Sequence, residues 1–205
     1  MSDIDIDAKY FEWEKLPVDG VTRLQEQLVG VEAGTRVERA YLSDIVPGLL
    51  QTREYARGIF TTITEFHGYD QDIESAVEAR MARQKVLHAE GHSFHYVFAE
   101  RVLYMTVGDD ATMADQLERL LGVIGSPHVY LGGIPHNARL GCYPTSFHIR
   151  DDIAVSIEAL TAHMNITEPR EIAVYLRGFD ALSRAAATGE DARKLIRAAL
   201  ATRVG

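Results

Sequence analysis

The chain has 205 residues, a mass of 22.8 kDa and a formal net charge of −9. With 46% hydrophobic and 25% charged residues, its composition is that of an ordinary globular domain and excludes a disordered or fibrous chain. No apolar run approaches the ~20 residues of a membrane span, the acidic N-terminus is unlike a signal peptide, and Cys142 is the only cysteine. The sequence therefore predicts a soluble, cytoplasmic protein with no membrane partner.

Acidic residues are concentrated at the N-terminus. Residues 1–20 contain six acids and two lysines, and we predict an arm in which Trp13 and Leu16 are anchors. Residues 21–205 are predicted to form a single domain. Because affinity for a phosphate backbone depends on clustered Lys and Arg, the net negative charge predicts that this chain does not bind nucleic acid directly.

The first half of the domain is predicted to consist of helices around one strand. Leu24, Leu28 and Val31 predict a helix that ends near Gly34, followed by a strand over residues 35–42. After a turn at Pro47 and Gly48, Thr52 is the predicted cap of a helix whose apolar side carries Tyr55, Ala56, Ile59 and Phe60. The strongest helical pattern runs from Asp70 to about Glu90, with Ile73, Val77, Met81 and Leu87 on its apolar face.

The second half is predicted to contain most of the strands. Alternating apolar residues predict a strand over 92–100, and Asp109 or Asp110 opens a helix. Two or three strands follow, at HVYLGGI, TSFHI and IAVSIEAL, before helices that begin near Pro169 and Thr188. The predicted fold class is α+β, with N-terminal helices, a small mixed or antiparallel sheet in the second half and a C-terminal helical pair.

A series of motifs resembles one regulator family. The block VPGLLQTREYAR at Val46 to Arg57 is followed in order by VEARMARQKVL, VFAERVLYMTVG, MADQLERLLGVI and HVYLGGIP with SFHI after it. Over residues 21 to 200 the chain resembles the C-terminal effector domain of actinobacterial WhiJ-type, antitoxin-like XRE regulators. The resemblance implies a domain that receives a small-molecule signal or binds a small partner protein. Only about 20 residues, with a net negative charge, precede the match, so we expect no helix-turn-helix and no direct transcriptional control.

Candidate ligand-binding residues come from four segments. Arg80, Arg83 and Gln84 stand at i, i+3 and i+4 on the long helix, where two guanidinium groups and an amide can hold a carboxylate or phosphate. Glu100 is their expected counter-ion, and a purely structural ion network is the competing interpretation. Gln51 and Thr52 add polar groups at a helix start, where a packed turn with a cap is the commoner explanation. The loop with His136 completes the predicted pocket.

A catalytic interpretation remains open beside the binding one. In an enzyme, the acid, base or nucleophile candidates are Glu100, Tyr104, His136 and Cys142. No nucleotide-binding, dinucleotide-binding, zinc-protease or serine-hydrolase motif is present, so no cofactor is predicted, and the spacing of His88, His92 and His95 is not that of a metal site.

The leading hypothesis is a non-catalytic domain that binds a small molecule or a small partner protein. The first alternative is a small-molecule enzyme of specialised metabolism that uses the same cavity. A second alternative is an interaction protein without a ligand, which forms a homodimer through the helix of Tyr55 and Phe60 or through its C-terminal helices.

Overall fold

A computed structural model describes residues 9–15, 20–68 and 72–203. The helices in these ranges are α1 (Gly20–Gly34), α2 (Arg53–His67), α3 (Ile73–Arg83), α4 (Asp110–Val123), α5 (Pro169–Ala185) and α6 (Gly189–Ala201). The strands are β1 (Tyr10–Glu12), β2 (Val37–Leu42), β3 (Ser93–Ala99), β4 (Val129–Ile134), β5 (Phe147–Arg150), β6 (Ala154–Glu158), β7 (Ala162–Ile166) and β8 (Ala187–Thr188). None of these helices is long and apolar enough to cross a membrane.

All eight described strands join one mixed sheet in the order β1-β7-β6-β5-β2-β3-β4-β8. The central strands β2, β3 and β4 run parallel, and the other neighbours are antiparallel. The sheet is therefore larger than the small second-half sheet expected from the sequence, and it takes β1 and β2 from the first half. The helices between the parallel strands supply the long crossover connections that such pairing requires.

Local sequence sets the starts of three helices as predicted or nearly so. The side chains of Thr52, Asp72 and Asp109 accept hydrogen bonds from backbone N–H groups in the first turns of α2, α3 and α4. The predicted start of α3 at Asp70 lies outside the described residues. The regular helix ends at Arg83, and a 3-10 helix continues over Gln84–His88. Apolar spacing did not separate the two forms because both return a side chain to the same face every three to four residues.

Part of the N-terminal arm belongs to the sheet. β1 pairs antiparallel with β7, and Trp13 Nε1 donates a hydrogen bond to the carbonyl oxygen of Ala159 at 2.8 Å. Trp13 thus contacts the domain as the sequence indicated. The second predicted anchor, Leu16, lies outside the described residues.

The two faces of the sheet are covered by different helices. α5 packs its apolar side on one face, where Phe179 and Leu182 contact residues such as Phe147 and Ile149. The opposite face divides into two regions. The apolar half consists of β3 and β4 residues such as Phe94, Phe98 and Leu131, packed with α4 and α6. The polar half lies on β2, β5, β6 and β7, beneath α1 and α3, and carries Glu38, His148, Arg150 and Ser156.

Candidate functional site

A cavity of about 240 Å³ separates the polar half of the sheet from α1 and α3. We call it the arginine cavity. Its helical wall carries Gln25 and Glu32 from α1 and Arg80 and Arg83 from α3. The 3-10 turn Gly48–Leu50 and Gln51 close one side, and leucines including Leu24, Leu28 and Leu42 add apolar surface. The volume is slightly below the ~300–1,000 Å³ of most ligand pockets, which suits a small molecule.

Arg83 is fully paired within the wall. Its Nε lies 3.0 Å from Glu32 Oε2, its Nη2 bonds to Glu32 Oε1, and its Nη1 donates to Gln25 Oε1. The side chains of Arg83 and Glu32 are 8% and 3% exposed, so this is a buried ion pair. The fork of the guanidinium matches both carboxylate oxygens, and the charge of Arg83 is therefore neutralised inside the protein.

Arg80 lacks such a salt bridge. It is 9% exposed, and its Nε and Nη1 donate at 2.6 Å to the neutral side-chain amides of Gln25 and Gln51. Its guanidinium carbon lies 4.8 Å from the ring centre of Phe60. Within the described ranges, no carboxylate lies at salt-bridge distance from Arg80. Burial and then repulsion by Arg83 outweigh the attraction of the Glu158 and Glu32 carboxylates and lower the pKa of Arg80 to about 9, so the group is still a cation at neutral pH.

The turn before α2 is shaped around Arg80. A Cβ atom on Gly48 would lie 3.1 Å from Arg80 Nη1 and 3.4 Å from Cζ, so a side chain there would press on the guanidinium. Gln51 is 1% exposed and bridges this turn to Arg80, since its Nε2 donates to the carbonyl oxygen of Val46 at 2.8 Å. The Pro-Gly turn therefore fixes the position of the unpaired cation.

The floor of the cavity is a polar cluster on the sheet. His148 Nδ1 lies 2.8 Å from Glu38 Oε1, and Arg150 Nη1 donates to Ser156 Oγ at 2.5 Å. Burial raises the pKa of the Glu38 carboxyl. The hydrogen bond with His148 and the charges of His148, Arg150 and Arg83 lower this pKa by more than burial raises it, so the pKa lies below its usual value. Glu38 is therefore ionised and acts only as a hydrogen-bond acceptor.

Two atoms of this cluster lack partners. Glu38 Oε2 and Arg150 Nε are buried and make no hydrogen bond to any residue that the structure describes. A buried carboxylate oxygen or guanidinium N–H without a partner loses the full free energy of its hydration. Together with Arg80, the described residues of the arginine cavity thus present one cation without a salt bridge, one free acceptor and one free donor.

The structure brings together only some of the residues selected from the sequence. Arg80, Arg83 and Gln51 line the arginine cavity. Gln84 lies beside it, where its Nε2 donates to the carbonyl oxygen of Gln51 at 2.6 Å. Thr52 serves as the cap of α2, and its backbone N–H donates to Gln116 Oε1 at 2.8 Å.

The expected pairing of the arginines with Glu100 is wrong. Glu100 Oε2 instead accepts from the backbone N–H of His136 at 2.7 Å and lies 2.8 Å from His136 Nδ1. Neither residue lines the arginine cavity. The His136 side chain is 82% exposed, whereas that of Glu100 is 11% exposed. Glu32 occupies the role assigned to Glu100, because α1 packs directly against α3.

The other two enzyme candidates have separate surroundings. The Cys142 thiol lies 3.7 Å from the carbonyl oxygen of Gly178 and packs on the core beneath α5. Tyr104 is partly exposed, and its backbone carbonyl accepts from Arg203 Nη2 at 2.7 Å. In the part of the chain that the structure describes, no hydrogen bond joins Cys142 to His136 or His148.

Several site residues were missed in the sequence. Gln25 and Glu32 are seven residues apart and flank Leu28, so they fall on the inner stripe of the predicted helix α1. Glu38 occupies an inward position of the predicted strand β2, two residues before Ala40. Polar residues at such core positions were the available signal for a buried site. His148, Arg150 and Ser156 gave no such signal because their shared face depends on the pairing of β5 with β6.

Comparison with known proteins identifies the family. The model of the domain of unknown function DUF5753 matches residues 25–198. The chain therefore belongs to the DUF5753 family. No curated protein matches the chain in sequence.

Three solved structures show distant similarity. The archaeal chromatin protein TrmBL2, which shows a novel mode of DNA binding, is 11% identical with a TM-score of 0.43; the match covers 92% of this chain and 56% of that one. The phospholipase D family member Nuc from Salmonella typhimurium is 10% identical with a TM-score of 0.43, over 82% and 90% of the two chains. NucT from Helicobacter pylori is 10% identical with a TM-score of 0.46, over 88% and 97%. This chain thus spans little more than half of TrmBL2.

Proposed function

We propose that this domain is a non-catalytic sensor that holds a small molecule in the arginine cavity, and that it is related to the effector domains of antitoxin-like regulators. The observation that supports this most directly is Arg80, a buried cation in the wall of a partly open cavity, with no carboxylate at salt-bridge distance among the described residues. A purely structural network gains nothing from a buried unpaired charge, since desolvation of that charge opposes folding. A ligand that supplies the missing partner accounts for its presence.

A small ligand accounts for the cavity better than a partner protein does. The residues with unmet hydrogen-bonding capacity line a concave volume of about 240 Å³, whereas a protein partner binds to an extended surface. The catalytic alternative has less support. None of its acid, base or nucleophile candidates, Glu100, Tyr104, His136 and Cys142, lines the arginine cavity, and among the described residues only Glu100 and His136 of these four are hydrogen bonded to each other.

Filling the cavity tests the proposal without knowledge of the ligand. Leu28 lines the cavity and its neighbour Val29 is 42% exposed, so Leu28→Trp blocks the volume while Val29→Trp leaves it open. Backbone NMR spectra of the 205-residue chain would be recorded with mixtures of small polar fragments. We expect shifts at α1, α3 and Gly48–Leu50 in the native chain and in Val29→Trp, and none in Leu28→Trp.

Two results would contradict the proposal. In one, no fragment at millimolar concentration shifts the amides around the cavity. In the other, Leu28→Trp folds normally and binds as the native chain does. Native mass spectrometry of the purified chain adds a second readout, because a retained ligand appears as extra mass and a retained partner protein as a complex.

A further inference from the structure

We infer that the ligand of the arginine cavity is a small monocarboxylate that also carries an amine or hydroxyl donor and a short apolar body. This inference rests on the proposed function and adds the chemical class of the ligand. It follows from the pairing of charges around the cavity, the unmet hydrogen bonds at its floor and the apolar part of its wall.

The charges favour a ligand with one negative charge. Arg83 is already neutralised by Glu32, so Arg80 is the cation in the wall with no carboxylate partner among the described residues. Glu38 and Glu158 also line the cavity, and Glu158 attracts Arg80 from beyond salt-bridge distance. The charges of both acids oppose a doubly charged group such as phosphate more than a singly charged one. A single carboxylate matches the planar guanidinium of Arg80 and adds no excess negative charge.

The floor requires a hydrogen-bond donor on the same molecule. Glu38 is 3% exposed and its Oε2 accepts no hydrogen bond from the described residues. The carboxylate of the ligand cannot satisfy this atom, because both groups are acceptors. An amine or a hydroxyl can donate to it, so the ligand has a donor as well as an acid. The leucines Leu24, Leu28 and Leu42 line the space around these groups and favour an apolar carbon skeleton.

A matched set of probes separates these features. 4-Methylpentanoate has the acid and the apolar body, its 2-hydroxy and 2-amino derivatives add the donor, and 4-methylpentanamide removes the charge. Inorganic phosphate supplies a different anion. Dissociation constants would be measured by NMR titration on the amides that line the cavity. We expect the hydroxy or amino acid to bind about tenfold or more tightly than the unsubstituted acid, and the amide and phosphate to bind weakest.

Variants assign the two contacts. Arg80→Met removes the cation and is expected to weaken all carboxylates about ten- to hundredfold, whereas Arg53→Met removes an exposed arginine of α2 and leaves binding unchanged. Gly48→Ala keeps the charge but displaces the guanidinium, so it is also expected to weaken binding. This variant tests the same contact if Arg80→Met folds poorly. Glu38→Gln removes the charge and replaces one acceptor oxygen by an NH2 donor, so it is expected to reduce the advantage of the hydroxy and amino acids over the unsubstituted acid.

The outcomes separate this inference from the proposed function. Binding of the amide or phosphate in the cavity as tightly as the carboxylates overturns the ligand class while the sensor function stands. The same holds if Arg80→Met and Gly48→Ala both fold and bind carboxylates like the native chain. If no probe shifts the cavity amides, the ligand class fails, and the fragment experiment with Leu28→Trp decides the proposed function.

Discussion

The two halves of one sheet face show how this fold separates stability from a candidate site. In the apolar half, Phe94 and Phe98 pack with Leu117, Leu120 and Ile196 of α4 and α6. In the polar half, Glu38, His148 and Arg150 face α1 and α3 across a cavity. Tyr96 lies at the boundary, since it belongs to the apolar cluster and also lines the cavity. Burial raises the pKa of the Tyr96 hydroxyl well above its usual value, so this boundary residue is uncharged.

The difference lies in what each half loses when one side chain is removed. In the apolar half, removal of a side chain loses buried apolar area and leaves a cavity. The cost in stability depends on how far the neighbouring side chains relax into that cavity. In the polar half, removal of one group leaves its partner buried without a hydrogen bond or counter-ion. The apolar half therefore stabilises the domain, and the polar half retains groups whose remaining bonding capacity suits a ligand.

The largest effect on stability is expected for Phe98→Ala in the apolar half. The Phe98 ring is fully buried, and it packs so closely on β4 that a Cβ atom on Gly133 would lie 2.9 Å from it. We expect a loss of about 3–5 kcal/mol in the free energy of unfolding, measured with urea. A loss below about 1 kcal/mol would show that the two halves do not differ in the way described.

Breaking the buried ion pair of the polar half is expected to have a comparable or slightly smaller effect. Glu32→Gln leaves Arg83 and Arg80 as two unneutralised cations, and we expect a loss of about 3 kcal/mol in urea unfolding. The double variant Glu32→Leu with Arg83→Met removes both charges and is expected to recover most of this stability. If the double variant is less stable than Glu32→Gln, the buried pair contributes net stability to the polar half.

The charge of Glu38 is expected to show itself in the pH dependence of stability. The folded-state pKa of Glu38 lies below that of the unfolded chain, near 4.5, so the unfolded chain binds more protons in that window. The stabilising contribution is therefore present above pH 4.5 and is lost as the pH falls through the folded pKa. We expect the free energy of unfolding of Glu38→Gln to fall less steeply than that of the native chain as the pH decreases below 4.5. Urea unfolding at several pH values measures this difference.

A surface glutamate provides the control for that experiment. Glu118 lies on the exposed side of α4, and Glu118→Gln should leave the dependence of the unfolding free energy on acidic pH unchanged. If Glu38→Gln also leaves this pH dependence unchanged, Glu38 has the same affinity for protons in the folded and unfolded chains.

The smallest effect is expected at the surface, outside both halves. Arg53 pairs with Glu78 at 2.5 Å, but the two side chains are 42% and 65% exposed. Water and salt screen such pairs, so Arg53→Met should leave the urea midpoint unchanged within error. A clear loss of stability would show that the Arg53–Glu78 pair stabilises the packing of α2 on α3 although both side chains are exposed.

Much of the fold was accessible from local sequence. The helix starts at Thr52 and Asp109, the strand of Val37–Leu42 and the helix from Pro169 all follow from caps, periodicity or the position of proline. The strands β1 and β7, which pair with each other at one end of the sheet, and the parallel pairing at the sheet centre were not predicted. Short strands have too few residues for a clear alternation, and parallel pairing depends on contacts between distant segments.

The candidate site was accessible only in part. The spacing of Arg80, Arg83 and Gln84 on one helix identified the helical wall, because residues three and four apart share a face. The counter-ion was assigned to Glu100 on the basis of its place at a strand end. The true partner, Glu32, comes from α1, which packs on α3 across 51 residues of sequence. No local pattern specifies which of two distant acids meets an arginine.

The sequence by itself determined the helices and most strands, the absence of common cofactor motifs and the arginine pair, since these depend on residue type and on spacing within one element. Only the tertiary structure decided that Glu32 neutralises Arg83, that Arg80 has no carboxylate partner in the described part of the chain, and that Glu38 and Arg150 face them across a cavity. The physical reason is that charge balance and hydrogen bonding are settled between side chains from separate elements, whose distances are set by how those elements pack.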